Sequence, residues 1–422
     1  MTRTGGERIR AWALAGALIV ATIGAAAWGP GARAADPIRV GFGMALTGGL
    51  AAAGKAALLA MEIWAQDTND AGGLLGREVA LVYYDDQSNP ANVPGIYTKL
   101  LSIDQVDLVV SGYGTNLIAP AMPIMMSRDL VFMGLFGLAV NEQFDYDNYF
   151  QIMPAGPDPR LDWSRGFFSL AETLAPKPKT LAIVGADAEF SRNAMIGARA
   201  HAEAAALEIV YDRTYPPATV DYSPIVRAIQ ATKPNLVYVA SYPPDSVGIL
   251  RAAKEIGLKA RMFGGGMVGL QYASIQTKLG PMLNGIVNYD FWVPEPTLNF
   301  PGINEFLAKY QAVAGDAGVD PLGYYLPPYA YSYVQVLGQA VEATQSLDHK
   351  ILGAYIHGHE FDTVVGKVEF GANGEWARTR VLLVQFQGIE DKSLEQFTRP
   401  GSRVVLYPEE WVSGTLDYPY AE

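Results

Sequence analysis

From Ile38 onward, short runs rich in β-branched and aromatic residues alternate with longer segments of helical period, and the whole alternation is passed through twice. Strand, helix, strand in repetition is the pattern of parallel sheets covered by helices, so the fold class is α/β with two Rossmann-like lobes. The first series predicts strands at 38–44, 79–84, 107–110 and 130–134, with a helix between the first two that sets Ala56, Leu59, Ala60 and Ile63 on one face. Gly72-Gly73 ends that helix. After Pro154-Ala155-Gly156-Pro157, a second series predicts strands at 180–185, 208–212, 235–240 and 261–264, interleaved with helices near 190–206, 222–232 and 245–256. A further strand at 284–289 precedes the proline-rich Val293-Pro294-Glu295-Pro296. Beyond it come a long helix at 328–344 and a hairpin pairing 361–370 with 380–386 around Gly371-Ala372-Asn373-Gly374.

The N-terminus reads as an export signal. Arg3, Arg8 and Arg10 precede an almost unbroken apolar run, 11–28, and Ala32-Arg33-Ala34 supplies small residues for cleavage near Ala34. No second run reaches the ~20 apolar residues that span a bilayer, so the cleaved chain has no transmembrane segment and is periplasmic. Its 43 acidic against 31 basic side chains give a net charge of −12, which repels phosphate backbones and argues against a nucleic-acid partner. The absence of cysteine excludes a thiol nucleophile, a disulfide framework and Cys-ligated zinc.

Catalytic signals are poor. His357-Gly358-His359-Glu360 lacks the i, i+4 spacing of a helical zinc site, and Asp85-Asp86 followed by Gln87-Ser88-Asn89-Pro90 reads as turn and cap residues. Gly264-Gly265-Gly266-Met267-Val268-Gly269, with Asp290 some distance on, satisfies a dinucleotide fingerprint, but in the fourth strand-helix unit of its series. A tight turn at a cleft edge is the better expectation, and a nucleotide-dependent oxidoreductase the weakest functional one; no cofactor is expected.

Open parallel sheets bind ligands beyond the C-terminal ends of their strands, and here those positions are aromatic and small. They are Tyr113 to Asn116 after the third strand, Phe136 and Gly137 after the fourth, and Phe190, Tyr242 and Met267 in the second series. The glycines of Ser111-Gly112-Tyr113-Gly114 let backbone amides approach a ligand, and Thr115 or Asn116 can cap the helix that follows.

Several segments resemble the periplasmic solute-binding proteins of ABC transporters, in the branched-chain amino acid (Leu/Ile/Val-binding) family with the type I fold. They are Ile38-Arg-Val-Gly through Leu46-Thr47-Gly48, Asn69-Asp-Ala-Gly-Gly-Leu-Leu-Gly-Arg77, Tyr84-Asp85-Asp86-Gln87-Ser-Asn-Pro90, Lys233-Pro-Asn-Leu-Val-Tyr238, Phe361-Asp-Thr-Val-Val-Gly366 and Phe370-Gly-Ala-Asn-Gly374. The resemblance implies two lobes joined by three crossovers, a small-molecule ligand trapped between them, a membrane permease as partner, a monomer, and no enzymatic turnover. It implies lobes of 35–153 with 286–345, and of 154–285 with 346–422. A ligand sensor of the same fold is the alternative. Thr115 and Asn116 match the loop that offers a hydroxyl to the ligand carboxylate, Phe136 stands where relatives often carry a small hydroxyl residue, and Phe190 where a tyrosine closes over the ligand. The acid that pairs with the ligand's ammonium falls near Gly266, where neither Gly266 nor Met267 can replace it. A buried ammonium without a carboxylate is costly, so the expected ligand is an aromatic or other apolar carboxylate rather than Leu, Ile or Val.

Overall fold

A computed structural model describes residues 36–421; the export segment predicted for residues 1–34 lies outside them. Strands β1 (Ile38–Met44), β2 (Val79–Asp85), β3 (Leu108–Tyr113), β4 (Phe132–Leu135) and β5 (Tyr149–Gln151) form an all-parallel sheet of order β2-β1-β3-β4-β5. Both of its faces are covered: Leu108 and Val110 pack in the cluster that includes helix Ala51–Asp70, whereas Val109 packs with Tyr97, Met122 and Met125. That double burial is why the strands read as apolar runs rather than as alternating ones. Helix Ala51–Asp70 stops where Gly73, at φ +79°, turns its N–H back onto the Thr68 carbonyl at 2.8 Å.

The second sheet repeats the plan. β6 (Thr180–Ala186), β7 (Glu208–Tyr215), β8 (Leu236–Ser241), β9 (Met262–Met267) and β10 (Val287–Asp290) run parallel in the order β7-β6-β8-β9-β10. This is the same 2-1-3-4-5 order as the first sheet, with the switch in winding direction between the first and third strands of each. A short hairpin, β11 (Phe361–Thr363) with β12 (Gly366–Val368), stands apart, and β13 (Leu382–Phe386) and β14 (Arg403–Tyr407) extend the second sheet antiparallel beyond β10. The chain passes between the two halves three times, after β5, after β10 and before β13. No helix among the described residues is long and apolar enough to cross a membrane.

Four expectations are corrected. Segment 286–345 does not begin in the first half: β10 is the fifth parallel strand of the second sheet, completing its repeat, and helices Ile303–Ala314 and Pro327–Thr344 then return to pack on helix Ala51–Asp70. Helix His349–Gly358 likewise stays with the first half, where the His349 ring nitrogen accepts the Val131 N–H at 3.0 Å. The hairpin of 361–370 with 380–386 does not form. Its turn is real, since Gly371 N–H donates to the Glu375 carbonyl at 2.7 Å, but only Phe370 and Trp376 bridge across it, while Leu382–Phe386 finds partners on both edges in β10 and β14.

The glycine run is not a turn either, because Gly264 to Gly266 lie inside β9. A Cβ on Gly264, at φ +135°, would sit 1.8 Å from the Val287 carbonyl oxygen, and one on Gly265 would sit 2.5 Å from the Tyr238 ring. The glycines let β9 pass between two close neighbours. Asp290, the acid that completed the fingerprint, is buried in an ion pair with Arg403 at 2.8 Å.

Candidate ligand-binding site

The loops after the parallel strands converge. After β3, Gly114 opens a helical run at Thr115, which continues through residues 119–121 into helix Met122–Ser127. Neither Thr115 nor Asn116 caps it. The Thr115 hydroxyl oxygen instead accepts the Leu138 N–H at 3.0 Å, and this fixes the β3 loop against the β4 loop. Phe136 sits at φ +63°, a conformation that costs a bulky residue on the order of 1–3 kcal/mol unless its surroundings impose it. They do: its N–H donates to Gln151 Oε1 at 3.0 Å, and its ring meets those of Phe291 at 4.7 Å, Tyr329 at 5.2 Å and Tyr325 at 5.4 Å.

From the second half, Phe190 opens toward the same space from helix Glu189–Ala204, and Tyr242 precedes helix Pro243–Ile256. Their rings meet edge to face at 5.8 Å, and Trp163 packs against Phe190 at 5.3 Å and Tyr289 at 4.3 Å. The Tyr242 hydroxyl crosses to the first half and donates to Asn116 Oδ1 at 2.8 Å. This bond latches the two loops together. A net hydrogen bond of this kind contributes about 0.5–1.5 kcal/mol. Asn116→Ala is therefore expected to raise the ligand dissociation constant roughly two- to tenfold, mostly through faster release, as stopped-flow dissociation would measure.

These side chains line a narrow, partly open pocket between the strand ends. Of the residues expected at the site, Tyr113, Thr115, Asn116, Phe136, Phe190 and Tyr242 line it. Gly137 and Met267 do not. The Gly137 carbonyl accepts Gln151 Nε2 at 2.8 Å, away from the cavity, and Met267 is wholly buried in β9, bracketed by the Asn288 side-chain amide; its neighbour Val268 lines the wall instead. Leu50, Met153, Trp163, Tyr289 and Tyr325 were not anticipated. Leu50 and Met153 follow β1 and β5, so the strand-end argument could have found them. Trp163 and Tyr325 come from a helix and a loop with no such signal.

No residue of the lining is an acid, a lysine, an arginine or a histidine. Of the nearby acids, Asp187 pairs with Arg192 at 2.9 Å and buried Asp245 accepts from the Tyr215 and Tyr222 hydroxyls at 3.1 and 2.9 Å, whereas Glu189, next to Phe190, stands outside the lining but close enough to act on the Tyr242 hydroxyl. The polar groups that remain are phenols, the Thr115 hydroxyl, the Asn116 amide, the Trp163 indole N–H and backbone. The hydroxyls of Tyr289 and Tyr325 lie 2.8 Å apart and those of Tyr113 and Tyr272 3.4 Å apart, and burial raises all four above the usual phenol range, so they are neutral. The other candidates for chemistry are structural. Asp85 Oδ1 accepts the N–H groups of Leu46, Thr47 and Gln87, His357 bonds the Asp147 carbonyl, and His359 stacks on Tyr355; among the described residues no group of acids and histidines could hold a metal.

A family model described as periplasmic binding protein matches residues 37–392. The chain belongs to that family. It is a type I periplasmic binding protein of the branched-chain amino acid group. It is 26% identical over 360 residues to Leu/Ile/Val-binding protein homolog 1 of Brucella melitensis, covering 84% of this chain and 90% of that protein. Among solved structures it is similar to a solute-binding protein of an ABC transporter from R. palustris in complex with benzoate, at a TM-score of 0.72 and 17% identity over 90% of this chain and 100% of that one. It is also similar to the branched-chain amino acid transporter substrate binding protein of Streptococcus pneumoniae in complex with isoleucine, at a TM-score of 0.71 and 16% identity over 88% and 100%.

Proposed function

We propose that this periplasmic binding protein is the exported substrate-binding component of an ABC importer, and that it captures a small aromatic or other apolar carboxylate between its lobes and delivers it to a membrane permease without turnover. The observation that carries the choice of ligand is the uncharged, ring-rich lining of the cavity. The similar structures named above hold benzoate in one case and isoleucine in the other, so the fold accommodates either class and the lining has to discriminate. An α-amino acid would bring an ammonium into a space whose lining offers no carboxylate, at a cost of several kcal/mol. A monocarboxylate needs only hydrogen-bond donors. The Thr115 and Asn116 amides supply them, since those of Leu117 and Ile118 already donate to the Gly114 carbonyl, and the rings of Trp163, Phe190 and Tyr242 offer an apolar wall to the rest of the ligand.

The test is a melting-temperature screen of the mature protein, unfolded and refolded to strip carried-over ligand. Benzoate, 4-hydroxybenzoate and phenylacetate at ~100 times their dissociation constants are expected to stabilise it by ~2.7 kcal/mol, with no shift from leucine, isoleucine or valine. Stabilisation by the branched-chain amino acids alone would overturn the assignment of ligand class.

A further inference from the structure

A second cavity lies behind the first, and the function proposed above does not use it. It is a partly open cleft of about 180 Å³, with Ala53, Lys55 and Ala56 of helix Ala51–Asp70 and Asp320, Tyr324 and Leu326 among its lining. Tyr325 lines both cavities. Beside it, Tyr272 lines the second and reaches Tyr113 of the first through their hydroxyls. The rings of Tyr272 and Tyr325 stand 5.6 Å apart and both are buried, so together they form the wall between the two spaces.

We propose that Tyr325, backed by Tyr272, is the specificity-determining partition that limits the length of ligand this protein accepts, an inference that rests on the aryl-carboxylate reading above. The wall is held at several points. Tyr325 stacks on Phe291 at 5.8 Å and 16°, packs against Phe136 and bonds Tyr289 through its hydroxyl. The loop that carries it is anchored by the half-buried carboxylate of Asp320, which accepts the N–H groups of Leu322 at 2.9 Å and Gly323 at 3.2 Å. The other oxygen of Asp320 accepts the N–H of Ala273, the residue after Tyr272, at 2.8 Å. One carboxylate thus sets the position of both rings. A partition fixed in this way does not swing aside for a longer ligand, and removing the Tyr325 ring joins the ligand cavity to the space behind it.

The experiment measures dissociation constants by calorimetry for benzoate, phenylacetate, 3-phenylpropionate and 4-phenylbutyrate, on the wild type, Tyr325→Phe and Tyr325→Ala. The wild type is expected to bind the short acids and reject the longest. Tyr325→Phe keeps that cut-off, because the ring remains, whereas Tyr325→Ala shifts the preference toward 4-phenylbutyrate by at least ~10-fold, the scale on which an apolar pocket senses chain length. A folded Tyr325→Ala protein with the wild-type cut-off, or a Tyr325→Phe protein that relaxes it equally, overturns the proposal. Should the alanine variant not fold, Tyr325→Leu shortens the wall while retaining apolar bulk and is read in the same way. If the wild type binds none of the four acids, the aryl-carboxylate reading fails, and the crystal structure of the variant then decides the partition: one continuous cavity supports it, and a wall rebuilt by Tyr272 overturns it.

Discussion

Asp290→Ala is expected to lower the unfolding free energy by about 3–5 kcal/mol, read as a fall in the urea midpoint with little change in slope. Asp290 and Arg403 are each almost fully buried, and the guanidinium donates from Nη1 to Asp290 Oδ2 at 2.8 Å. Among the described residues this is the one carboxylate in an ion pair with Arg403, whose guanidinium also lies 5.7 Å from the centre of the Tyr324 ring. Truncation of the acid therefore strands a charge in the interior, which costs far more than the loss of one hydrogen bond. The damage also reaches the ligand cavity. The other Asp290 oxygen accepts the Phe291 N–H at 2.9 Å, holding the end of β10 from which Tyr289 enters the cavity lining. Replacing both partners with apolar residues, Asp290→Leu with Arg403→Met, is expected to recover most of the lost stability, because no stranded charge remains. A double variant no more stable than Asp290→Ala would show that the ion pair itself, rather than the avoidance of a lone charge, holds the strand.

The second large effect depends on pH. Glu375 is 1% exposed, neither of its side-chain oxygens has a protein hydrogen-bond partner, and burial, reinforced by the Glu142 carboxylate, raises its carboxyl well above the usual range. The folded state therefore holds a proton that the unfolded chain releases. Its stabilising contribution is complete below the ordinary glutamate pKa of 4.5 and is lost as pH rises toward the folded value. Across that window the wild type should lose about 1.4 kcal/mol per pH unit relative to Glu375→Gln, which carries the neutral shape at every pH. Urea unfolding of both proteins at pH 5, 6 and 7 measures the difference. A gap that does not widen with pH would mean that Glu375 is ionised in the folded protein.

The parallel architecture was legible because its signals are local. Most strands of both repeats are short β-branched or apolar runs bounded by turn residues, so they could be read before any contact was known, whereas β5, only three residues long, was not among the predicted strands. Six cavity residues were legible for a related reason: in a parallel sheet the residues just past each strand share one edge, so Tyr113, Thr115, Asn116, Phe136, Phe190 and Tyr242 converge wherever the sheets do. The errors began where pairing partners lie far apart in the chain. Leu382–Phe386 carries the same β pattern whether it pairs across the turn at Gly371 or joins β10 and β14, and only the exposed edge of β10 in the folded sheet decided between them. The glycine run at Gly264 satisfied a motif, yet its cause is the carbonyl of Val287 and the ring of Tyr238, neighbours brought there by the sheet.

By itself, then, the sequence determined the α/β class and the doubled strand-helix plan, since each depends on residue type and spacing alone. Tertiary structure alone decided the rest. The Asn116–Tyr242 latch, the Asp290–Arg403 pair across 113 positions, and the Tyr325 partition join side chains that no spacing rule connects. Such contacts exist only once the lobes have packed and water has left the space between them, and burial then turns ordinary tyrosines and carboxylates into walls, latches and buried charge.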